Sequence, residues 1–229
     1  MLIKLNSKVK FIKNNKLIIS DEIENKICNC WNKFIKNHEN YWNGEIIVAT
    51  NIELENSLVE LSSTNYSSII YAKKNNDIDI KPLFAGILLK TKDNKYLIIK
   101  NNNDKINIIG GMADKKDFLK EEFLPDLCIK REVLEEIGID LNDTKQVLKY
   151  DMKYLKVPES NENYCTIGIL YNGFLNYTSN ELRDYLSNSK LSSEIKEVYY
   201  YSKEECLELE LKKNDISYLK EFIMLEEKY

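Results

Sequence analysis

Two stretches decide the fold: I-N-I-I-G-G-M at residues 106–112 and R-E-V-L-E-E-I-G-I at residues 131–139. The first is an apolar strand that ends in two glycines, which permit a tight turn and close approach of another backbone. The second is the end of a helix predicted from about Leu124 to Ile137, with Pro125 as its start and Gly138 as its stop. We therefore expect a strand, a connecting loop and a helix that packs beside the strand.

Three glutamates of the second stretch fall on one side of the predicted helix. Glu136 follows Glu132 by four residues and Glu135 follows it by three, so the carboxylates share one face. The apolar residues expected to pack on the other side are Ile129, Val133, Leu134 and Ile137. Carboxylates this close repel one another, and a divalent cation that prefers oxygen ligands, usually Mg²⁺, relieves the repulsion.

Two neighbouring features fit a metal site. Arg131 can pair with one of the carboxylates and hold its rotamer. The backbone at Gly110 and Gly111 can approach the helix closely, and a carbonyl oxygen there can be a further ligand. The alternative is a solvated acidic helix after an ordinary turn, which charge alone favours.

The second stretch resembles the Nudix box. It matches the pattern R-E-U-x-E-E-x-G-U at every specified position, where U is an apolar aliphatic residue, and Gly110-Gly111 match the glycines that open the box. The resemblance implies an α+β fold, the Nudix α/β/α sandwich with a mixed β-sheet. We assign that domain to residues 82–229 and a small α+β subdomain to residues 1–81.

The first half of the box departs from the family pattern G-x5-E-x7-R. Here 19 residues separate Gly111 from Arg131, where the pattern has 13. Counted back from Arg131, the position of the first box glutamate is Phe123. Glu121 and Glu122, just upstream, are therefore the candidates to replace it.

The resemblance implies a function and residue roles. A Nudix hydrolase cleaves the diphosphate of a nucleoside diphosphate linked to another group, using Mg²⁺ or Mn²⁺. By position, Glu132 and Glu136 would be the principal metal ligands. Glu135 would be a further ligand or orient the attacking water, Gly111 would contribute its carbonyl, and Arg131 would orient the glutamates.

A late segment, S-S-E-I-K-E-V-Y-Y-Y-S at residues 192–202, resembles the part of Nudix enzymes that can supply the general base. Glu194 is the first candidate for that catalytic role and Glu197 the second. The alternative is that both glutamates simply flank an exposed strand.

The first 85 residues resemble, at sparse positions, the N-terminal region of Nudix enzymes that hydrolyse UDP-sugars. The shared features are a helix carrying Trp31, then Y-W-N-G at residues 41–44, then L-S-S-T-N-Y at residues 61–66. A nucleotide-sugar is therefore one expected substrate. Trp42 and Tyr66 could stack on a base or shape the pocket entrance, although such aromatic residues are more often partly buried core.

Other elements follow from periodicity. Apolar spacing predicts a helix from Asp21 to near Asn40, with Ser20 as its N-cap. Two apolar runs between residues 84 and 99 predict a β-hairpin. Residues 145–157 and 163–175 predict paired strands, with P-E-S-N-E-N as their turn, followed by a small helix, another strand and two terminal helices.

Bulk properties exclude several classes. The net charge of −4 and pI near 5.4 argue against a nucleic-acid partner and an RNA-processing role. His38, the only histidine, is expected at the surface, which leaves little room for histidine-based metal or nucleophile chemistry. No secretory or membrane-spanning stretch stands out, so we expect a cytoplasmic protein, with a homodimer as one possible assembly. The main alternative function is a Nudix-fold nucleotide-binding module without catalysis.

Overall fold

The structure is a computed structural model of the 229-residue chain. It describes residues 1–5, 9–14, 17–38, 41–157, 165–189, 191–210 and 218–226. The predicted P-E-S-N-E-N turn therefore lies outside the described residues.

Thirteen strands and six α-helices are assigned within these ranges. The strands are β1 (Leu2–Lys4), β2 (Lys10–Lys13), β3 (Glu45–Glu53), β4 (Leu58–Asn65), β5 (Lys81–Lys90), β6 (Tyr96–Asn101), β7 (Ile106–Asn107), β8 (Ile109–Met112), β9 (Phe118–Leu119), β10 (Glu122–Phe123), β11 (Val147–Lys156), β12 (Ile167–Leu175) and β13 (Ile195–Tyr201). The helices are α1 (Asp21–Ile35), α2 (Tyr66–Ala72), α3 (Pro125–Ile137), α4 (Ser179–Asn188), α5 (Lys203–Glu208) and α6 (Leu219–Glu226). A short 3₁₀ turn, Lys115–Asp117, precedes β9.

Within the described chain, eleven strands form one mixed sheet in the order β1-β11-β12-β5-β3-β4-β2. The long strand β5 is its centre, since β5 also pairs with β6 and β8, while β6 pairs with β7 and β13. The β12–β5 and β2–β4 pairs are parallel and the others are antiparallel. The predicted hairpin and the pairing of the two later strands are confirmed.

Helices cover both faces of this sheet. Apolar side chains of α3 and α4 pack on one face, against alternate residues of β5 such as Leu83 and Ile87. Apolar side chains of α5 and α6 pack on the other face, against Leu88. The predicted α+β class, with a mixed sheet between two helical layers, is confirmed.

Helix α1 begins where the sequence predicts and ends earlier. The Ser20 side chain accepts a hydrogen bond from the Ile23 backbone N–H, which confirms the N-cap. The helix stops at Ile35 rather than near Asn40. The residues after Ile35 are polar, so extending the helix would bury no further apolar surface.

Pairing crosses the proposed boundary between residues 81 and 82. Strand β3 pairs with β5 at Val48–Pro82 and Ala49–Lys81, and β1 pairs with β11. The two segments thus share one sheet, and their assignment as separate folding units stays a prediction. Among the described residues, no helix is long and apolar enough to cross a membrane.

Candidate active site at the acidic face of helix α3

Helix α3 is oriented by its apolar stripe. Ile129, Val133 and Ile137 are fully buried against the sheet, which turns the glutamate positions toward β8. Leu134 is 53% exposed, so the prediction that it packs with them is wrong. Adjacent helix residues are rotated by about 100°, and Leu134 therefore lies beyond the stripe that Val133 belongs to.

Two glutamates of α3 lie directly against the glycine strand. Glu132 is so close to Gly111 that a Cβ at Gly111 would overlap its carboxylate. The backbone N–H of Gly110 donates a hydrogen bond to Glu136 Oε2 at 3.2 Å. The structure thus brings Glu132 and Glu136 together beside Gly110-Gly111, the arrangement that the sequence predicts.

Glu135 lies at the rim of this cluster. Its side chain is 58% exposed, whereas that of Glu132 is 12% exposed. Glu135 Oε2 is 3.5 Å from Arg131 Nη1, a long contact that leaves the carboxylate free to turn toward solvent or a ligand.

Arg131 holds the carboxylates of Glu132 and Asp117 in place by hydrogen bonds. Its Nη1 donates to Glu132 Oε1 at 2.6 Å, and its Nε and Nη2 donate to the two oxygens of Asp117 at 3.1 and 2.9 Å. Nη2 also donates to the Met112 carbonyl at 3.2 Å, which ties the helix to β8. Burial alone would lower the pKa of Arg131, but the hydrogen bonds that Arg131 donates to Asp117 and the charge of Glu132 raise it, so the guanidinium stays charged.

Asp117, rather than Glu121 or Glu122, is the upstream carboxylate of the site. Asp117 is 1% exposed, whereas the Glu121 side chain is 85% exposed and pairs with Lys13 at 2.8 Å. Counted forward from Gly111, Asp117 occupies the position of the first box glutamate, so the extra residues come after it. They form the β9–β10 hairpin, which carries Glu121 and Glu122 away from Arg131. Counting from the glycine end would have found Asp117.

We expect Asp117→Asn to cost about 3 kcal/mol of folding free energy, because it leaves the largely buried Arg131 guanidinium without its bidentate partner. Glu121→Gln, which breaks only an exposed pair, should stay within about 0.5 kcal/mol of wild type. Chemical denaturation of both variants measures the difference. Equal stabilities would remove Asp117 from the bracing network.

The cluster is electrostatically strained without a counter-charge. Burial raises the pKa of Glu136 to about 8, opposed by the hydrogen bond from Gly110 and reinforced by the charges of Glu132, Glu194 and Glu135. Burial likewise raises the pKa of Glu132, although Arg131 lowers it. Desolvated carboxylates that repel one another are what a bound cation would stabilise.

Glu194 reaches this cluster and Glu197 does not. The segment before β13 is tied to the end of α3, since the Ser192 backbone N–H donates to the Glu136 carbonyl at 2.9 Å. From there Glu194 raises the pKa of Glu136. Glu197 instead accepts a hydrogen bond from the Tyr199 hydroxyl and lies 3.7 Å from Lys100, on the exposed side of β13.

Of the two aromatic candidates, Tyr66 interacts electrostatically with Glu194. It is half-buried, and burial followed by the charges of Tyr41 and Glu194 raises its pKa. Its ring is stacked on Tyr41 with centroids 6.2 Å apart. Trp42 is 64% exposed, and its ring covers Gly44. His38 is exposed, as predicted, and stacks on Phe34.

The donor set fits a hard cation with few protein ligands. Within the described ranges, no three His, Cys, Asp or Glu side chains converge as a ready-made metal site. Mg²⁺ usually takes only one or two carboxylates and fills its other positions with water and substrate phosphates, which the Glu132–Glu136 pair can satisfy. The Gly111 carbonyl oxygen lies 3.9 Å from Cys128 Sγ, and its role as a ligand stays a prediction.

Comparison with known proteins identifies similar folds at low identity. No protein-family model and no curated protein matches the chain. A MutT protein from Methanosarcina mazei Go1 is 19% identical, with 67% of this chain and 97% of that chain covered and a TM-score of 0.44. DR0079 from Deinococcus radiodurans is 10% identical, with 79% and 97% covered and a TM-score of 0.48. A NUDIX-family hydrolase from Clostridium perfringens is 16% identical, with 63% and 97% covered and a TM-score of 0.42. At such scores, function has to be inferred from this chain's own residues.

Proposed function

We propose that this protein is a Nudix hydrolase, a divalent-cation-dependent enzyme that cleaves the diphosphate of a nucleoside diphosphate linked to another group. The products would be a nucleoside monophosphate and a phosphorylated second product. The observation that carries the proposal is the placement of Glu132 and Glu136, two largely buried box carboxylates, against Gly110-Gly111. A purely solvated acidic helix would not bury them there.

The residues divide into ligands and supports. Glu132 and Glu136 would hold Mg²⁺ or Mn²⁺, with Glu135 at the rim as a further ligand or as the group that orients water. The cation would supply charge neutralisation to the diphosphate oxygens. Arg131 is a positioning residue, because its guanidinium is occupied by Asp117 and Glu132 rather than open to substrate.

Glu194 is the proposed general base. A base must accept a proton near the attacked phosphorus, and Glu194 is an exposed carboxylate within electrostatic reach of Glu136. Its backbone is held on both sides, since the Asn102 N–H donates to the Glu194 carbonyl at 3.1 Å and the Glu194 N–H donates to Ser192 Oγ at 3.2 Å. A carboxylate on an anchored segment can be held at a constant distance from the cation site.

We expect Glu194→Gln to lower kcat by about two orders of magnitude, the usual contribution of a positioned general base. Glu197→Gln, on strand β13 three residues further along the chain, is the matched control and should leave kcat near wild type. Steady-state kinetics with saturating Mg²⁺ measures both. If the two variants behave alike, the base lies elsewhere.

The substrate class is proposed as a nucleotide-sugar, such as a UDP-sugar. The support is Tyr66, a half-buried ring at the start of α2 that lies within electrostatic reach of Glu194 and can contact the organic part of a bound nucleotide. The ring already stacks on Tyr41, so the two residues together form an aromatic surface on which a base can stack.

The test is hydrolysis of a substrate panel: UDP-sugars, ADP-ribose, NADH, dinucleoside polyphosphates and capped RNA, each with Mg²⁺ or Mn²⁺ and with EDTA. We expect turnover of a UDP-sugar, loss of turnover in EDTA, and recovery when metal is restored. Hydrolysis of another compound of the panel would contradict the proposed nucleotide-sugar substrate and leave the proposed hydrolase activity standing. Tight nucleotide binding without turnover on any member would favour the alternative, a catalytically inactive binding module.

A further inference from the structure

We propose a second ligand site, a cavity on the sheet face opposite helix α3, that binds a small phosphorylated molecule carrying an N–H or O–H donor. A mononucleotide and a sugar phosphate share this chemistry. The cavity has a volume of about 670 Å³, within the range of small-molecule sites. The inference does not depend on the proposed function, because none of the box residues lines this cavity.

The register of the central strands separates the cavity from the acidic cluster. Asn172 pairs with Leu88, and Phe174 pairs with Lys90, along the parallel β12–β5 ladder. Leu88 belongs to the core beneath α6, so these cavity residues share the α6 face of the sheet. The glutamates are carried by α3, which packs on the opposite face. A ligand in the cavity therefore does not occupy the proposed active site.

The lining carries an excess of positive charge. Its charged residues are Lys4, Lys90, Lys149, Lys153, Asp151 and Glu226. Four ammonium groups against two carboxylates leave two positive charges in excess, in a protein whose net charge is −4. Asp151 pairs with Lys153 at 2.5 Å, and the net positive charge that remains in the cleft attracts an anion such as a phosphate group.

Two of the lysines are held in place before any ligand binds. The Lys90 ammonium lies 5.1 Å from the ring centroid of Tyr96 and 4.0 Å from Glu226, and its side chain is only 16% exposed. The Lys149 ammonium lies 4.7 Å from the ring centroid of Phe174. Fixed cations lose little conformational entropy when an anion binds, so their arrangement favours binding.

Asn172 indicates what else the ligand carries. Asn172 is 6% exposed, and its Oδ1 has no hydrogen-bond partner in the part of the chain that the structure describes. A buried carbonyl oxygen without a donor costs free energy, and few proteins tolerate one without a role. A ligand with an N–H or O–H donor, from a base or a sugar, would satisfy Oδ1 while its phosphate meets the lysines.

The test is calorimetric titration of full-length Glu136→Gln protein in EDTA, so that turnover and binding through the proposed metal site do not contribute. The probes are UMP, glucose 1-phosphate and inorganic phosphate. We expect UMP or glucose 1-phosphate to bind more tightly than inorganic phosphate. Tighter binding of UMP would identify the ligand as a mononucleotide, and tighter binding of glucose 1-phosphate would identify it as a sugar phosphate. Lys149→Met should weaken all binding about tenfold, by removing one cation.

Asn172→Leu should weaken the organic phosphate about tenfold and leave inorganic phosphate unchanged, because only the organic ligand donates to Oδ1. Thermal melting serves as the folding check, and Asn172→Leu should melt no lower than its parent since it removes an unpaired buried oxygen. Lys33→Met, on α1, is the control and should bind as the parent does. No binding of any probe at millimolar concentration, or binding unchanged by Lys149→Met, would overturn the proposal.

Discussion

Glu136→Gln is expected to reduce turnover at least a thousandfold, because it removes a proposed ligand of the cation. This loss corresponds to about 4 kcal/mol of transition-state stabilisation, at ~1.4 kcal/mol for each factor of ten in rate. The substitution keeps the size of the side chain and an oxygen that can accept from the Gly110 N–H, but it removes the charge that would hold the cation. Steady-state kinetics on a hydrolysed substrate measures the loss. Glu122→Gln, an exposed glutamate upstream of α3, is the matched control and should retain wild-type turnover.

The same variant should be more stable than wild type when metal is absent and the pH is high. The pKa of Glu136 is raised to about 8 in the folded state from an ordinary 4.5. Below pH 4.5 both states hold the proton and the group costs nothing. As pH rises from 4.5 to 8, the unfolded chain loses its proton first, so wild-type stability falls across this window.

Because Gln cannot ionise, we expect Glu136→Gln to gain on the order of 4 kcal/mol over wild type at pH 8 and nothing near pH 4. The carboxylates that disfavour ionisation of Glu136 are Glu132, Glu194 and Glu135, and the opposing group is the Gly110 N–H. Denaturation in EDTA at both pH values measures the gain. A variant that unfolds along with losing activity would make Glu136 a structural residue.

The second large expected effect is a loss of stability on substitution of Gly110, which substitution of Gly111 should not cause. Gly110 has φ 151°, and a Cβ there would overlap the backbone oxygen of Ala85 on the paired strand β5. We expect Gly110→Ala to destabilise the protein by about 3 kcal/mol, because neither backbone can move without breaking the β5–β8 pairing. Chemical denaturation measures this loss.

Gly111→Ala should act differently. Its Cβ would meet only the flexible end of the Glu132 side chain, which can turn away at small cost to the fold. That movement displaces a proposed metal ligand, so we expect turnover to fall at least a hundredfold while stability changes by about 1 kcal/mol or less. Equal loss of stability in the two variants would contradict this assignment of Glu132.

Local signals made helix α3 predictable. Pro125 pre-sets the first turn, and Gly138 adopts the left-handed conformation, φ 70°, that ends the helix. The spacing of Ile129 and Val133 fixes which side is buried, and the box glutamates follow from that. The prediction for Leu134 is wrong because the buried stripe of α3 is narrower than the run of apolar residues in the sequence.

The upstream part of the site could not be read from local pattern. The interval between Gly111 and Arg131 can be measured from either end: from Arg131 the pattern indicates Glu121 or Glu122, and from Gly111 it indicates Asp117. Only the β9–β10 hairpin shows where the extra residues lie, since its pairing loops them out of the site. Spacing therefore offers two positions for the upstream carboxylate, and the hydrogen bonds of the inserted hairpin decide between them.

Contacts between residues that are distant in the sequence are the other feature that the sequence does not predict. Glu194 and Tyr66 are far apart in the sequence, and only the folded structure brings them close enough for the charge of Glu194 to raise the pKa of Tyr66. The sequence ranks Glu194 ahead of Glu197 by resemblance alone, and the hydrogen bond from the Ser192 N–H to the Glu136 carbonyl at the end of α3 supports that order. Neither contact leaves a periodic signal in the sequence.

The central claim, a divalent cation held by Glu132 and Glu136 beside the two glycines, is tested most directly by Mn²⁺ titration followed by electron paramagnetic resonance, which needs no knowledge of the substrate. We predict that wild type binds Mn²⁺, that Glu136→Gln binds it at least tenfold more weakly, and that Glu197→Gln binds as wild type does. Equal Mn²⁺ affinity in wild type and Glu136→Gln would contradict the claim.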